Sequence, residues 1–261
     1  MIGINQISLK IKNSFAAIRT SFLWTPADIT TQVWFDSSDL STITDTLGAV
    51  SQFNDKSGND RHATQAIGVN QAETGVNTLG GLNTLTMRNG SKFMNVAGSA
   101  STIAFYSVVD LDPLAGTGTI AVLGSSGTST PDSELFFRST AIGDISFDGS
   151  ALGTGLGKYS LDGSAFSASG IKNHTTPSAP NSGGHILSGV FDVSFTLAQI
   201  LNREGLVSDA NGHNIGEIVA TSAELSLSDR QKLEGYYAWK WGLVANLDVG
   251  HPYKLSPPLR D

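Results

Sequence analysis

The sequence contains no cysteine, which excludes disulfide staples and thiolate zinc sites. Charge is also scarce. Asp, Glu, Lys and Arg make up 15% of the 261 residues, where a soluble domain usually carries about a quarter. The balance is acidic, with 23 Asp and Glu against 16 Lys and Arg and a formal net charge of −7. A duplex nucleic-acid binder needs a concentrated basic footprint, and an anionic membrane surface repels an acidic chain. Neither nucleic acid nor membrane insertion is therefore expected. No run approaches the roughly 18 apolar residues of a membrane span. The first fifteen residues, MIGINQISLKIKNSF, have no continuous apolar stretch of the kind a secretory signal requires. The expectation is a protein made in the cytoplasm that reaches its destination from there.

The place of charge is taken by Ser, Thr, Asn and 29 glycines, a composition suited to turns and polar loops. Apolar residues alternate along two long segments: Ile103, Phe105, Val109 and Leu111, and then Leu187, Phe191, Val193, Phe195 and Leu197. Shorter runs lie at 33–35, 82–87, 120–123, 135–137, 142–147 and 215–220. Turn signals separate them at Ser57-Gly58-Asn59, Asn89-Gly90, Asp148-Gly149, Asp162-Gly163 and Asn211-Gly212. Many short alternating strands joined by Gly-rich turns predict an all-β sandwich or barrel, and there is no βαβ rhythm. The Gly- and Ser-rich stretch 149–184 reads as rim loops and an edge strand.

One helix is predicted over about 228–242. Ser228 with Gln231 three residues on reads as a capping box. Leu233, Tyr237 and Trp241 share one face, and Gly242 stands where a left-handed terminator is expected. An extended Pro-rich tail follows, from His251-Pro252-Tyr253 to Pro257-Pro258. The organisation expected is an N-terminal arm over 1–25, a β-sandwich over 26–225, and the helix and tail over 226–261. In the arm, Ile4, Ile7, Ile11, Phe15, Ile18 and Phe22 recur at helical spacing, while Ile7, Leu9 and Ile11 also fit a strand. Either way an apolar face is left that so short a segment cannot bury alone. It packs on its own sandwich or on a partner subunit, and Trp24, just before Pro26, is placed to anchor it.

Three stretches together carry a family resemblance. They are Val33-Trp34-Phe35-Asp36-Ser37-Ser38-Asp39 with Phe53-Asn54-Asp55-Lys56-Ser57-Gly58-Asn59; Gly81-Leu82-Asn83-Thr84-Leu85; and Ile215-Gly216-Glu217-Ile218 with Leu227 to Leu243 and His251-Pro252-Tyr253. In this order they resemble the LamG-like, concanavalin-like sandwich modules of bacteriophage virion proteins and some bacterial surface proteins. The resemblance spans about residues 30–255 and implies a two-sheet antiparallel jelly-roll sandwich with one C-terminal α-helix beside it. It does not imply a single function, because folds host many.

Candidate chemistry is sparse. Glycoside hydrolysis needs two carboxylates roughly 5–10 Å apart across a cleft, and concanavalin-like glucanases set them on one strand face as E-x-D-x-x-E. None of the six glutamates begins that pattern. Asp144, Ser146 and Asp148 alternate but read as a half-exposed strand ending in a turn. The five histidines show no metal-ligand spacing and read as surface or turn residues, and no Gly-x-Ser-x-Gly elbow is present. Asp55, Asn59 and Asp60 cluster around Ser57-Gly58 and are calcium candidates, although Asx-turns use the same residues and Lys56 and Arg61 oppose a dication. Trp34 and Trp241 are expected in the core. The expectation is a non-enzymatic virion structural protein, on capsid or tail, assembled in the host cytoplasm. Its partners would be other virion proteins and a second copy of itself, met through the six apolar arm residues. The alternative is a carbohydrate-binding adhesin for host-surface glycans.

Overall fold

The computed structural model describes residues 23–87, 92–111, 119–125, 134–140, 144–148, 156–168, 174–175, 183–201 and 213–260. The arm residues Ile4, Ile7, Ile11, Phe15, Ile18 and Phe22 lie outside them. The strands are β1 (Val33–Asp36), β2 (Ile43–Thr46), β3 (Ala49–Phe53), β4 (Ala63–Thr64), β5 (Thr78–Leu79), β6 (Leu82–Asn83), β7 (Leu85–Met87) and β8 (Met94–Leu111). They continue with β9 (Thr119–Ser125), β10 (Glu134–Thr140), β11 (Asp144–Asp148), β12 (Leu156–Leu161), β13 (Ser167–Ala168), β14 (His174–Thr175), β15 (Gly183–Ile200) and β16 (His213–Thr221). The α-helix, α1 (Leu227–Lys240), follows.

The frame is the antiparallel pair β8–β15, which runs from Gly183 opposite Leu111 to Ile200 opposite Met94. Its register shifts between Val190 and Phe195 and again between Leu197 and Gln199. Such irregularities bend a strand pair, and here the two ends of the pair take different neighbours. At one end β12 adds to β15, and β16 adds to β8 and carries β1 and β7. At the other end β9 adds to β15 and is followed outward by β10, β11 and β14, while β4 adds to β8 and is followed by β3 and β2. The result is one large curled antiparallel sheet with a helix against it, consistent with an all-β sandwich.

Two apolar layers follow from the curl. Phe35, Phe53, Phe105, Val109, Leu187, Phe191 and Ile218 fill the inside. Trp34, Ala104, Tyr106, Val108, Ile186, Val190 and Val219 point to the opposite face, where Leu233, Tyr237, Ala238 and Trp241 of α1 cover them. The central strands are therefore apolar on both faces, as strands buried on both sides must be. The alternation read in the sequence follows mainly the inner half of that pattern, although Ile103, read with it, packs on the outer layer.

The helix differs from its expected bounds. Ser226, not Ser228, is the N-cap, and its Oγ accepts from the Asp229 amide at 3.1 Å. Two overlapping Ser-x-x-acceptor patterns exist in the sequence, and the one with an acidic residue in the first turn also suits the helix dipole. The C-terminal end is as expected: Gly242 has φ +73°, and the Leu243 amide donates to the Ala238 carbonyl at 2.8 Å, closing a Schellman turn. Beyond it the tail is not simply extended. Backbone bonds from Asn246 to Leu243, His251 to Asp248 and Lys254 to His251 make consecutive turns. Lys254 Nζ fixes them by donating to the carbonyls of Ala245 and Leu247.

The stretch expected as rim and edge contains β12, which is paired on both sides, with β15 and β13. The β2–β3 hairpin carries no turn signal in the sequence beyond one glycine. Leu47 and Gly48 turn it with φ +54° and +87°, and Asp45 Oδ1 accepts from the Gly48 amide at 2.9 Å.

Candidate functional site

The chain enters the described fold at Leu23. Leu23 forms an antiparallel bridge with Leu259, and the Trp24 amide donates to the Pro258 carbonyl at 3.1 Å. The Trp24 ring is buried and meets Tyr236 edge-on, 6.4 Å between centroids. The anchoring expected of Trp24 is thus present, and it makes Leu23–Thr25 part of the folded body. This junction builds a half-open groove of about 380 Å³, lined by Leu23, Trp24, Tyr236, Trp239, Lys240 and Pro257 among others. Trp239 is 41% exposed, and its indole N–H donates to the Tyr253 carbonyl at 2.8 Å. That bond fixes the orientation of the ring at the groove it lines. Leu23 and Leu259 are also exposed beside it.

Beneath the groove lies a buried ionic cluster that sequence reasoning missed. Asp36 on β1 stands opposite Glu217 on β16, on the face turned toward α1. Glu217 is fully buried. Its Oε1 accepts from Trp34 Nε1 at 2.7 Å, and Tyr236 Oη donates to the same oxygen at 3.2 Å. Its Oε2 accepts from Trp241 Nε1 at 3.0 Å and Lys240 Nζ at 2.7 Å. Lys240 Nζ also lies 2.7 Å from Asp36 Oδ1, while Lys56 Nζ reaches Asp36 Oδ2 and Asp39 Oδ2 at 2.9 and 2.8 Å. Burial pushes the Glu217 carboxyl above its ordinary range, against the pull of Lys240. Burial acts on Asp36 in the same sense, but Lys240, Ser38 and Lys56 together outweigh it and hold that carboxyl low. The signal in the sequence was an acidic residue inside each of two apolar strands, Val-Trp-Phe-Asp and Ile-Gly-Glu-Ile-Val.

The calcium candidates sit in the loop that delivers Lys56. Asp55 is buried, and both of its oxygens are engaged: Oδ1 accepts from the amides of Trp34 and Ser57, and Oδ2 from Ser57 Oγ and the Arg61 amide. Asn59 Nδ2 donates to the carbonyls of Thr31 and Gln32, and Asp60 takes φ +56°. Four donors converge on Asp55, which is the arrangement of a loop clasp.

Two histidines expected at the surface or in turns are buried instead. His185 Nδ1 lies 2.8 Å from Asp162 Oδ2. His251 Nε2 lies 3.4 Å from Glu234 Oε2, beside Arg230. Each joins the sheet or tail to the region under α1. His251 lies in the tail, outside any helical or strand period, whereas His185 continues the alternation of β15 two residues before Leu187, a signal that would have placed it inside. The side chains of Asp144, Ser146 and Asp148 lie outside the described residues, although their backbone forms β11 as expected.

The Lys56 bridge has a pH consequence. Lys56 and Ser41 hold Asp39 below its ordinary value of 3.8, and Asp36 is held low too. With folded pKa values below the unfolded ones, the unfolded chain takes up protons first. The stabilisation is complete above about pH 5 and fades as the pH falls through the lowered values. Thermal melting followed from about pH 5 to about pH 2 should show this loss, with a shallower fall in Asp39→Asn. Parallel profiles for parent and variant would exclude a contribution from Asp39.

A curled β-sheet whose outer face is clamped by a helix, with an aromatic groove where the described chain begins at Leu23, is the class of protein the structure defines. No protein-family model matches the chain, and neither a curated protein nor a solved structure gives a significant match.

Proposed function

We propose that this protein is a non-enzymatic structural subunit of a bacteriophage virion, a jelly-roll accessory protein of capsid or tail that acts through protein–protein contacts. The observation that carries this reading is the aromatic groove at the root of the arm. An apolar, open surface beside exposed Leu23, Trp239 and Leu259 is what a protein contact buries, and it lies where residues 1–22 join the fold. Aromatic rings are the side chains most often found as anchors of such contacts. The virion assignment rests on the sequence resemblance.

Removal of residues 1–22 should leave a β-rich circular-dichroism spectrum and an unchanged melting temperature, because Leu23 and Trp24 remain. The truncated chain should no longer self-associate or attach to particles. Trp239→Ala should weaken attachment while changing stability by about 1 kcal/mol or less. Normal attachment by both variants, measured by co-sedimentation with virions, would overturn the reading.

The partly exposed Trp239 indole also favours a second reading, a carbohydrate-binding adhesin, since indole faces stack on sugar rings. Glycan binding by the full chain on an array, lost in Trp239→Ala but kept after removal of residues 1–22, would select it.

A further inference from the structure

The cluster under α1 combines four features that an ordinary ion pair does not need. Lys240 Nζ touches two carboxylates at once, 2.7 Å from Asp36 Oδ1 and 2.7 Å from Glu217 Oε2. All three side chains are withdrawn from water, with exposures of 17% for Lys240, 4% for Asp36 and 0% for Glu217. Trp34, Trp241 and Tyr236 wall them in and orient Glu217 with their N–H and O–H groups. A second cation, Lys56, holds the far oxygen of Asp36.

We propose that this is the site of a self-formed intramolecular isopeptide bond between Lys240 Nζ and Asp36 Cγ, with Glu217 as the proton carrier. The reaction is a condensation that needs no oxidant or co-reactant. Glu217 relays a proton from the Lys240 ammonium to Asp36 Oδ1, and the neutral amine adds to Cγ of the resulting carboxylic acid. Negative charge then gathers on the carboxyl oxygens, where the Lys56 ammonium on Oδ2 stabilises it. The bond from Cγ to Oδ1 breaks as the new N–C bond is kept. Of the three ammonium protons, two leave with Oδ1 as water, passed on by Glu217, and one stays on the amide nitrogen. Glu217 ends as it began.

Two physical arguments favour the step here. Fixed contact replaces a bimolecular encounter. Condensation also turns two of the cluster's buried charges into one neutral amide, while Glu217, which gives up the Lys240 cation, keeps the N–H and O–H donors of Trp34, Trp241 and Tyr236. Burial raises the Glu217 carboxyl, which suits it to receive the Lys240 proton. The bond would tie β1 to the end of α1, closing residues 37–239 into a loop in a chain that has no cysteine to do so.

Intact-mass measurement of the purified, folded, full-length protein tests this. The expected mass is lighter than the sequence by one water. Trypsin should leave residues 233–254 uncut at Lys240 and joined to residues 20–56 in one branched peptide. Lys240→Arg, which keeps the charge, should restore the sequence mass and the separate peptides. Glu217→Gln should do the same or form the branched peptide far more slowly. A wild-type chain at full sequence mass that is cut after Lys240 overturns the proposal. So does a water loss that maps instead to Asp148-Gly149 or Asp162-Gly163, where an aspartyl succinimide would form. Bond formation in Glu217→Gln at the wild-type rate overturns the role given to Glu217.

Discussion

Trp241→Ala is expected to lower the stability of the protein by about 3–5 kcal/mol. The ring is fully buried and sits on the outer face of the sheet with Leu233 and Tyr237 of the same helix. Its fit is tight. A Cβ added at Gly216 would lie 3.1 Å from the indole and 3.1 Å from Val108, so glycine there is what lets the ring reach the strand. Truncation leaves a cavity between helix and sheet that the stiff strands cannot close. It also removes the N–H that binds Glu217 Oε2, leaving a buried carboxylate with one donor fewer. Urea unfolding followed by fluorescence and circular dichroism measures the loss. Trp241→Phe should recover part of the packing but not the hydrogen bond, and so fall between. An alanine variant as stable as the parent would place the ring outside the core.

Glu234→Ala should cost a comparable amount, about 3–5 kcal/mol, because it breaks a buried charge pair from one side. Glu234 is fully buried. Its Oε1 accepts from Arg230 Nη1 at 2.9 Å and from Ser188 Oγ at 3.2 Å, and its Oε2 faces His251. Arg230 is itself buried and, among the described residues, keeps only the Ser164 carbonyl and the face of Phe166, 4.3 Å away. Without Glu234 the guanidinium remains in a dry site with no paired carboxylate among the described residues. The same residue joins the sheet, through Ser188, to the tail, through His251, so its loss should also expose the tail to proteolysis. Limited trypsin digestion at Lys254 reads that second effect. A variant that unfolds at the parent's urea midpoint would show that the cluster is replaceable.

Much of the fold was legible in the sequence because periodicity survives in it. The runs at 33–35, 120–123, 135–137 and 215–220 all fall within strands, as short apolar runs bounded by turn signals do. The helix was legible from the spacing of Leu233, Tyr237 and Trp241, all of which are buried. Its start was displaced by two residues because Ser226 and Ser228 both satisfy a capping pattern, and only the geometry chooses. The β2–β3 hairpin was missed because Leu47 takes a left-handed conformation that side chains other than Gly, Asn and Asp seldom adopt. The Asp55 loop was read as a possible cation site because Asp and Asn serve both turns and metals. Which use applies depends on where the amides of Trp34 and Arg61 arrive, and Trp34 is 21 residues away.

By itself the sequence determined the local and the periodic: strand alternation, helix face, turn glycines, and the lack of cysteine and of basic charge. Each depends on residues a few positions apart, whose spacing maps directly onto a pleat or a helical turn. Tertiary structure alone decided that the central strands are buried on both faces, and that Trp34, Asp36, Glu217 and Lys240 share one dry site. Trp34 and Glu217 are 183 residues apart. They meet only because β1 adds to β16 and α1 crosses over the pair, a juxtaposition set by the curl of the sheet rather than by any local preference.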